Sequence, residues 1–170
     1  EGDPFMLIEG MTIAGVAVGA SKGFIYIRSE YPDAIRAMKD AIRIATTGKW
    51  LGQNIQGSTH SFSLEVRRGA GAYICGEETA MLDSLEGKRG MVRPKPPIPA
   101  LQGLFGKPTV INNVLSFDAV PYILAEGGKA YENYGMGRSR GTLPFQLAGN
   151  IKQGGLVEKA FGITLGQLIN

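Results

Sequence analysis

At 170 residues and 44% hydrophobic content, the chain has room for one full domain, or for one domain and the start of another, with a real core. A net charge of +3, with Lys and Arg interleaved among Asp and Glu, favours a mixed solvated surface and makes the basic pI weak evidence for nucleic-acid binding, so no nucleic-acid partner is expected. The single cysteine, Cys75, rules out an internal disulfide and cannot alone hold zinc or an iron–sulfur cluster, so no metal site is assigned and a reducing, cytoplasmic setting is expected.

No apolar run reaches the length of a membrane span, and no basic-then-apolar leader is present, so direct membrane insertion is not expected. The abrupt start at Glu1-Gly2-Asp3-Pro4 and the stop at Leu168-Ile169-Asn170 lead us to expect an internal piece of a longer protein.

The first predicted element is a helix opened by Asp3 as cap and Pro4 in the first turn, running to about Val18 before Gly19. Leu7, Ile8, Met11, Ala14 and Val18 form its apolar stripe, and Gly10 and Gly15 leave room for a close neighbour. Phe24 to Arg28 reads as a short buried strand. A second helix opens at Tyr31-Pro32-Asp33, carries Ile35, Met38, Ile42 and Ala45 at helical spacing, and ends at Gly48. Phe62 to Val66 alternates and is the next strand. Strand, helix and strand make a βαβ unit with a parallel sheet, in which ligands sit at the carboxyl ends of the strands.

At such an end the apolar stretch breaks into Arg68-Gly69-Ala70-Gly71-Ala72-Tyr73-Ile74-Cys75-Gly76, and Glu77-Glu78 open a helix to Leu85. A helix start carries unpaired N–H groups and a partial positive charge, so Gly76, Glu77 and Glu78 offer donors to an anion. Capping of the helix by the glutamates is an equally good reading of the same residues. Tyr73 presents a flat ring and a hydroxyl, suited to a planar heterocycle or to core packing. Cys75 reads as a small buried residue, and His60 has no partner at triad or metal spacing.

Pro94 to Pro99 is an extended loop in which Lys95 stands between prolines; a solvated lysine is the ordinary reading of such a residue, and the stiff mount also suits aiming one positive charge at a phosphate with little entropic loss. Asn112-Asn113 start a helix bearing Val114, Phe117, Val120 and Ile123, with Pro121 inside it. One asparagine is needed as a cap, which leaves one amide to offer both a donor and an acceptor to a ligand. Gly127-Gly128 stop that helix, and a short helical piece follows near Ala130 to Tyr134. Gly135 to Gly141 reads as a flexible basic connector. Beyond it, strands over Thr142 to Ala148 and Leu156 to Lys159 and a helix from Thr164 follow the order in which a β-grasp module opens.

The blocks Gly69 to Glu86, Arg93 to Ala100 and Gly106-Lys107-Pro108-Thr109-Val110-Ile111-Asn112-Asn113-Val114 closely resemble the family of NADH dehydrogenase flavoprotein subunits. That family spans respiratory complex I, NAD-dependent formate dehydrogenases and NAD-linked hydrogenases. The stretch Gly137 to Gly149 looks most like the formate dehydrogenase beta subunit.

The resemblance implies an α/β fold: a partial Rossmann-like, parallel-sheet FMN- and NAD(H)-binding domain over residues 1–140, then the start of a β-grasp module over residues 141–170. It implies an FMN-containing diaphorase subunit in which a hydride passes between NAD(H) and FMN, with electrons exchanged through iron–sulfur clusters. The 4Fe-4S ligands of the full-length family lie outside this chain. Iron–sulfur and molybdenum-containing subunits are the expected partners, and a non-redox docking subunit is the rival reading.

Carried over by position, Tyr73, Gly76, Glu77, Glu78, Asn112 and Asn113 would contact FMN, and Lys95 and Ile98 would contact NADH. Glu78 would lie nearest the nicotinamide, as the residue at the reacting end. At Ile98 the chain departs from the family, which often has an aromatic there against the adenine; isoleucine loses the π contact, and weaker or differently posed adenine binding is expected.

Overall fold

The computed structural model describes residues 2–169, which form two compact units, one extending to Val114 and one beginning at Leu115. Helix α1 (Pro4–Val18) starts where Asp3 accepts a hydrogen bond from the Met6 amide at 3.2 Å, and stops at Gly19, whose φ of +71° is the left-handed exit expected of glycine. Strand β1 (Lys22–Ile27) follows, then α2 (Pro32–Thr47) and β2 (Ser63–Arg68). The two strands pair in parallel from Lys22 opposite Ser63 to Ile27 opposite Arg68, with α2 packed against β2. The expected βαβ unit is therefore present, with each strand starting or ending one or two residues away from the predicted limit.

The core is built from the predicted faces with small shifts of phase. Leu7 and Ile8 of α1, Ile25 of β1, and Ile35, Met38, Ala41 and Ala45 of α2 are buried, while Val18 is exposed and Ile42 only half-buried. Phe62 occupies a slot made by two glycines. A Cβ on Gly15 of α1 would stand 2.6 Å from its ring, and one on Gly23 of β1 would stand 2.9 Å from it. Both positions are reserved for the aromatic.

After β2 the chain enters a 3-10 turn at Tyr73–Gly76 and then α3 (Glu78–Leu85). Cys75, Thr79, Ala80, Leu82 and Leu104 form a second buried patch under this helix. The Tyr26 hydroxyl of β1 lies 2.9 Å from the Ser84 hydroxyl, which fastens α3 to the sheet. Residues 86–113 then run without helix or strand apart from one short turn at Leu104–Gly106.

In the second unit, α4 (Val114–Glu126) contains Pro121 and ends at Gly127, followed by α5 (Gly128–Glu132). The Tyr122 ring meets Tyr134 edge-on at 5.6 Å and Tyr131 at 6.4 Å. The segment read as a flexible connector is instead a minimal hairpin, β3 (Gly135–Met136) and β4 (Ser139–Arg140), in which Gly135 and Gly137 at positive φ make the tight reversal that glycine permits. Strands β5 (Thr142–Leu147) and β6 (Gly155–Ala160) pair antiparallel. Helix α6 (Leu165–Ile169) is opened by Thr164, whose amide and hydroxyl meet Gln167 Oε1 at 3.0 Å while its hydroxyl accepts from the Gln167 amide.

Candidate functional site

The glycine break after β2 leads into the turn that carries Tyr73 and Gly76 and then to Glu77 and Glu78 at the start of α3. Glu77 is the cap of that helix: its Oε2 accepts from the Thr79 amide at 2.9 Å, the Ala80 amide at 2.8 Å and the Thr79 hydroxyl at 2.6 Å. These bonds, the Thr79 hydroxyl first, hold the Glu77 carboxyl below its ordinary pKa. Of the two readings open for this turn, helix capping is the one that Glu77 adopts. The first-turn amides of Thr79 and Ala80 are already occupied by a carboxylate, and a phosphate brought to them would meet negative charge.

Glu78 faces a different partner, the ammonium of Lys95, to which it is hydrogen-bonded; Lys95 also lies 3.8 Å from Glu77 Oε1. The Glu78 hydrogen bond is the main reason the lysine's pKa is raised, so it is a cation throughout the neutral range. Lys95 is therefore not a free charge waiting for a phosphate. It is shared by the carboxylates of Glu77 and Glu78 at the start of α3.

Tyr73 sits in the 3-10 turn ahead of α3 and is 91% exposed, which removes core packing as its explanation. A Cβ on Gly76 would meet nothing within 4 Å, so the backbone there faces open space. Cys75 between them is buried, as expected. Ile98 is 49% exposed, and its carbonyl accepts from the amides of Leu101 and Gln102 at 2.9 and 3.0 Å, closing the turn that follows the prolines. Asn112 and Asn113 lie exposed in the extended segment ahead of α4.

What the sequence reading missed is the clamp that holds this loop. The Arg93 amide donates to the Thr79 hydroxyl at 2.9 Å, and its guanidinium reaches Asp83 Oδ1 at 2.8 and 2.5 Å, Glu86 Oε1 at 2.9 Å and the Gly103 carbonyl at 3.2 Å. Glu86 also accepts from Lys88 Nζ and from the Phe105 amide, both at 2.8 Å. Lys88, Arg93 and the Phe105 amide together lower its carboxyl pKa to about 2. Asp83 in the last turn of α3 and Glu86 at its C-terminal cap meet this arginine from the following loop, an encounter that their spacing in the chain does not announce. A cavity of about 630 Å³ opens beside the clamp, lined by Lys88, Arg93, Pro97, Gly103 and Phe105 among others.

Residues 1–122 match the family model described as the Nuo51 FMN-binding domain. The chain belongs to the Nuo51 FMN-binding domain family. Across 169 residues it is 48% identical to the NADH-quinone oxidoreductase F 2 subunit of Rhizobium meliloti (strain 1021), covering 99% of this chain and 40% of that protein. It is 47% identical to the NADP-reducing hydrogenase subunit HndC of Solidesulfovibrio fructosivorans, covering 99% of this chain and 34% of the relative. The chain thus spans only a minor part of the relatives it matches.

Among solved structures, a chain of an NAD+-reducing [NiFe]-hydrogenase in the air-oxidized state superposes with a TM-score of 0.83 at 38% identity, over 98% of this chain and 27% of the other. The parallel α/β arrangement is accordingly the Rossmann-like fold of this Nuo51-type domain. The residues around α3 fit an FMN- and NAD(H)-binding role in part. An exposed ring, an open glycine backbone and a carboxylate–lysine pair suit a planar, polar heterocycle, whereas α3 supplies no vacant first-turn amides at Thr79 and Ala80 for a phosphate. Among the described residues, no group of acids, histidines and cysteine is placed to hold a metal ion, and no helix is long and apolar enough to cross a membrane.

Proposed function

We propose that this chain is the portion of an NAD(H)-linked flavoprotein subunit on which FMN and the dinucleotide face each other across the start of α3. The observation that supports the reading is the Glu78–Lys95 ion pair at the start of α3, directly after the turn that carries the exposed Tyr73 and Gly76, within the residues that match the family model. When bound, FMN supplies the acceptor or donor site for a hydride exchanged with the nicotinamide.

The chain's own contribution is placement and charge. Tyr73 offers its ring and hydroxyl to a flat surface, and Gly76 lets that surface approach the backbone. Glu78 is assigned to the nicotinamide end, where its carboxylate can accept from an amide N–H. Lys95 takes a dinucleotide phosphate, and Ile98 packs on the base. Asn112 and Asn113 are assigned to FMN. Glu77 has a different part: its cap orders the turn from which Tyr73 and Gly76 project.

Residues 141–170 are proposed to open a β-grasp module behind a domain over residues 1–140, which the antiparallel β5–β6 pair followed by α6 supports. Electron exchange with iron–sulfur subunits, and a cytoplasmic location, belong to the same reading. The finer assignment to a formate dehydrogenase with a molybdenum-containing partner rests on the stretch Gly137 to Gly149. The relatives named above are quinone- and hydrogenase-linked, so a complex I-type or hydrogenase subunit is the second reading.

The test is reconstitution of the full-length subunit with FMN. The expected outcome is a yellow protein that reduces ferricyanide with NADH, and a Glu78→Gln variant with at least about tenfold lower kcat/KM, the loss typical of one misplaced charged contact. A full-length subunit that stays colourless and inactive with excess flavin would reverse the reading in favour of a docking role.

A further inference from the structure

The clamp around Arg93 lies outside the cluster assigned to the cofactors, and its geometry says what it is for. Arg93 is held at both ends: its amide by the Thr79 hydroxyl, its guanidinium by Asp83, Glu86 and the Gly103 carbonyl. Thr79, 2% exposed, spends its proton on Glu77 and its lone pair on the Arg93 amide. The carboxylate that caps α3 and the backbone of the loop are thereby joined through one hydroxyl. Lys95 follows two residues later, with Pro94 between them fixing φ.

Asp83 and Glu86 between them already neutralise the guanidinium and Lys88, so Arg93 has little charge left for a ligand. A lysine on a free loop would lose backbone freedom as well as side-chain freedom on binding a phosphate. One mounted on a pinned loop loses less.

We propose that Arg93, anchored on Asp83 and Glu86, is a positioning residue for dinucleotide binding that acts through Lys95. The proposal rests on the dinucleotide reading of Lys95 given above, and the experiment separates the two. In the full-length subunit assembled in its complex, NADH oxidation by ferricyanide is measured for Lys95→Ala, Arg93→Ala, the double variant, Arg93→Lys and Asp83→Asn, with released flavin quantified for each.

Arg93→Ala is expected to raise KM for NADH about tenfold with kcat within about twofold and flavin content unchanged, since a displaced binding group costs affinity before chemistry. Arg93→Lys, which keeps the charge but loses the fork, should recover only part of that loss. The double variant should have the KM of Lys95→Ala alone, because the two residues act as one unit. If Arg93→Ala is too unstable to isolate, Asp83→Asn carries the test, with KM raised about threefold by a weakened anchor.

Penalties that multiply in the double variant would mean that Arg93 meets the ligand itself, which overturns the proposal. A raised KM in Lys95→Ala alongside unchanged KM in Arg93→Ala and Asp83→Asn would overturn the positioning role and leave the dinucleotide reading intact. An unchanged KM in Lys95→Ala would overturn both.

Discussion

A single carboxyl, Glu86, ties together the loop and the helix on which the candidate site is built. Its side chain is only 8% exposed, and each of its oxygens is held by a cation, with the Phe105 amide as a third donor. A folded-state pKa of about 2 against an ordinary 4.5 means that the ionised form is the one the fold binds. The resulting stabilisation is fully present above pH 4.5 and disappears as pH falls through about 2. Glu77, lowered in the same direction by its capping bonds, adds to the same acid limb. Denaturant unfolding of the chain should therefore lose on the order of 2 kcal/mol between pH 5 and pH 2 that Glu86→Gln, already lacking the charge, does not lose. Stability curves for the two proteins that run parallel across that range would show that Glu86 is not the group responsible.

Between elements, a close constraint is the passage of the Phe62 ring between α1 and β1. Alanine in mid-helix ordinarily stabilises by about 1 kcal/mol over glycine. At Gly15 that gain is outweighed, because the new methyl would lie 2.6 Å from the Phe62 ring, which is itself buried. Gly15→Ala is expected to destabilise by about 1–3 kcal/mol, the usual cost of overpacking. Phe62→Leu in the same background should recover part of it, and a thermal melt in which Gly15→Ala alone gains stability would refute the slot. The contrast shows what was legible in the sequence. Local signals placed every helix start to within a residue or two, from the Asp3 and Thr164 caps to the Pro32 first turn, because a cap or a proline acts on its own neighbours. Gly15 could be read only as small, since its partner is an aromatic 47 positions away in the chain. The site divides along the same line. The Tyr73 to Glu78 turn was visible as a motif, but two adjacent glutamates do not reveal which one caps and which one pairs with Lys95. Nor does the spacing of Asp83, Glu86 and Arg93 reveal that the three meet.

For the whole molecule, the two units differ sharply in how much they bury. Up to Val114 the buried residues are numerous and drawn from α1, β1, α2 and α3, whereas from Leu115 onward only Pro121 and Gly141 are buried among the described residues. Strands β5 and β6 make a complete antiparallel ladder, yet their side chains are exposed or only half-covered. An isolated two-stranded ribbon has marginal stability in water. The backbone hydrogen bonds of β5–β6 should consequently open by local fluctuation, while those of α2 and the β1–β2 ladder open only with the loss of their shared core. Hydrogen exchange on this 170-residue chain is expected to label residues 142–160 within seconds to minutes and to protect Ile35 to Ala45 at least about a hundredfold longer. The proposed β-grasp reading predicts that in a full-length subunit further chain covers the exposed faces of β5 and β6, so that protection there rises toward that of the α/β unit. Equal protection of the ribbon in the short chain and in the full-length protein would mean that the strands need no such cover, and would remove the argument for a module continuing beyond them.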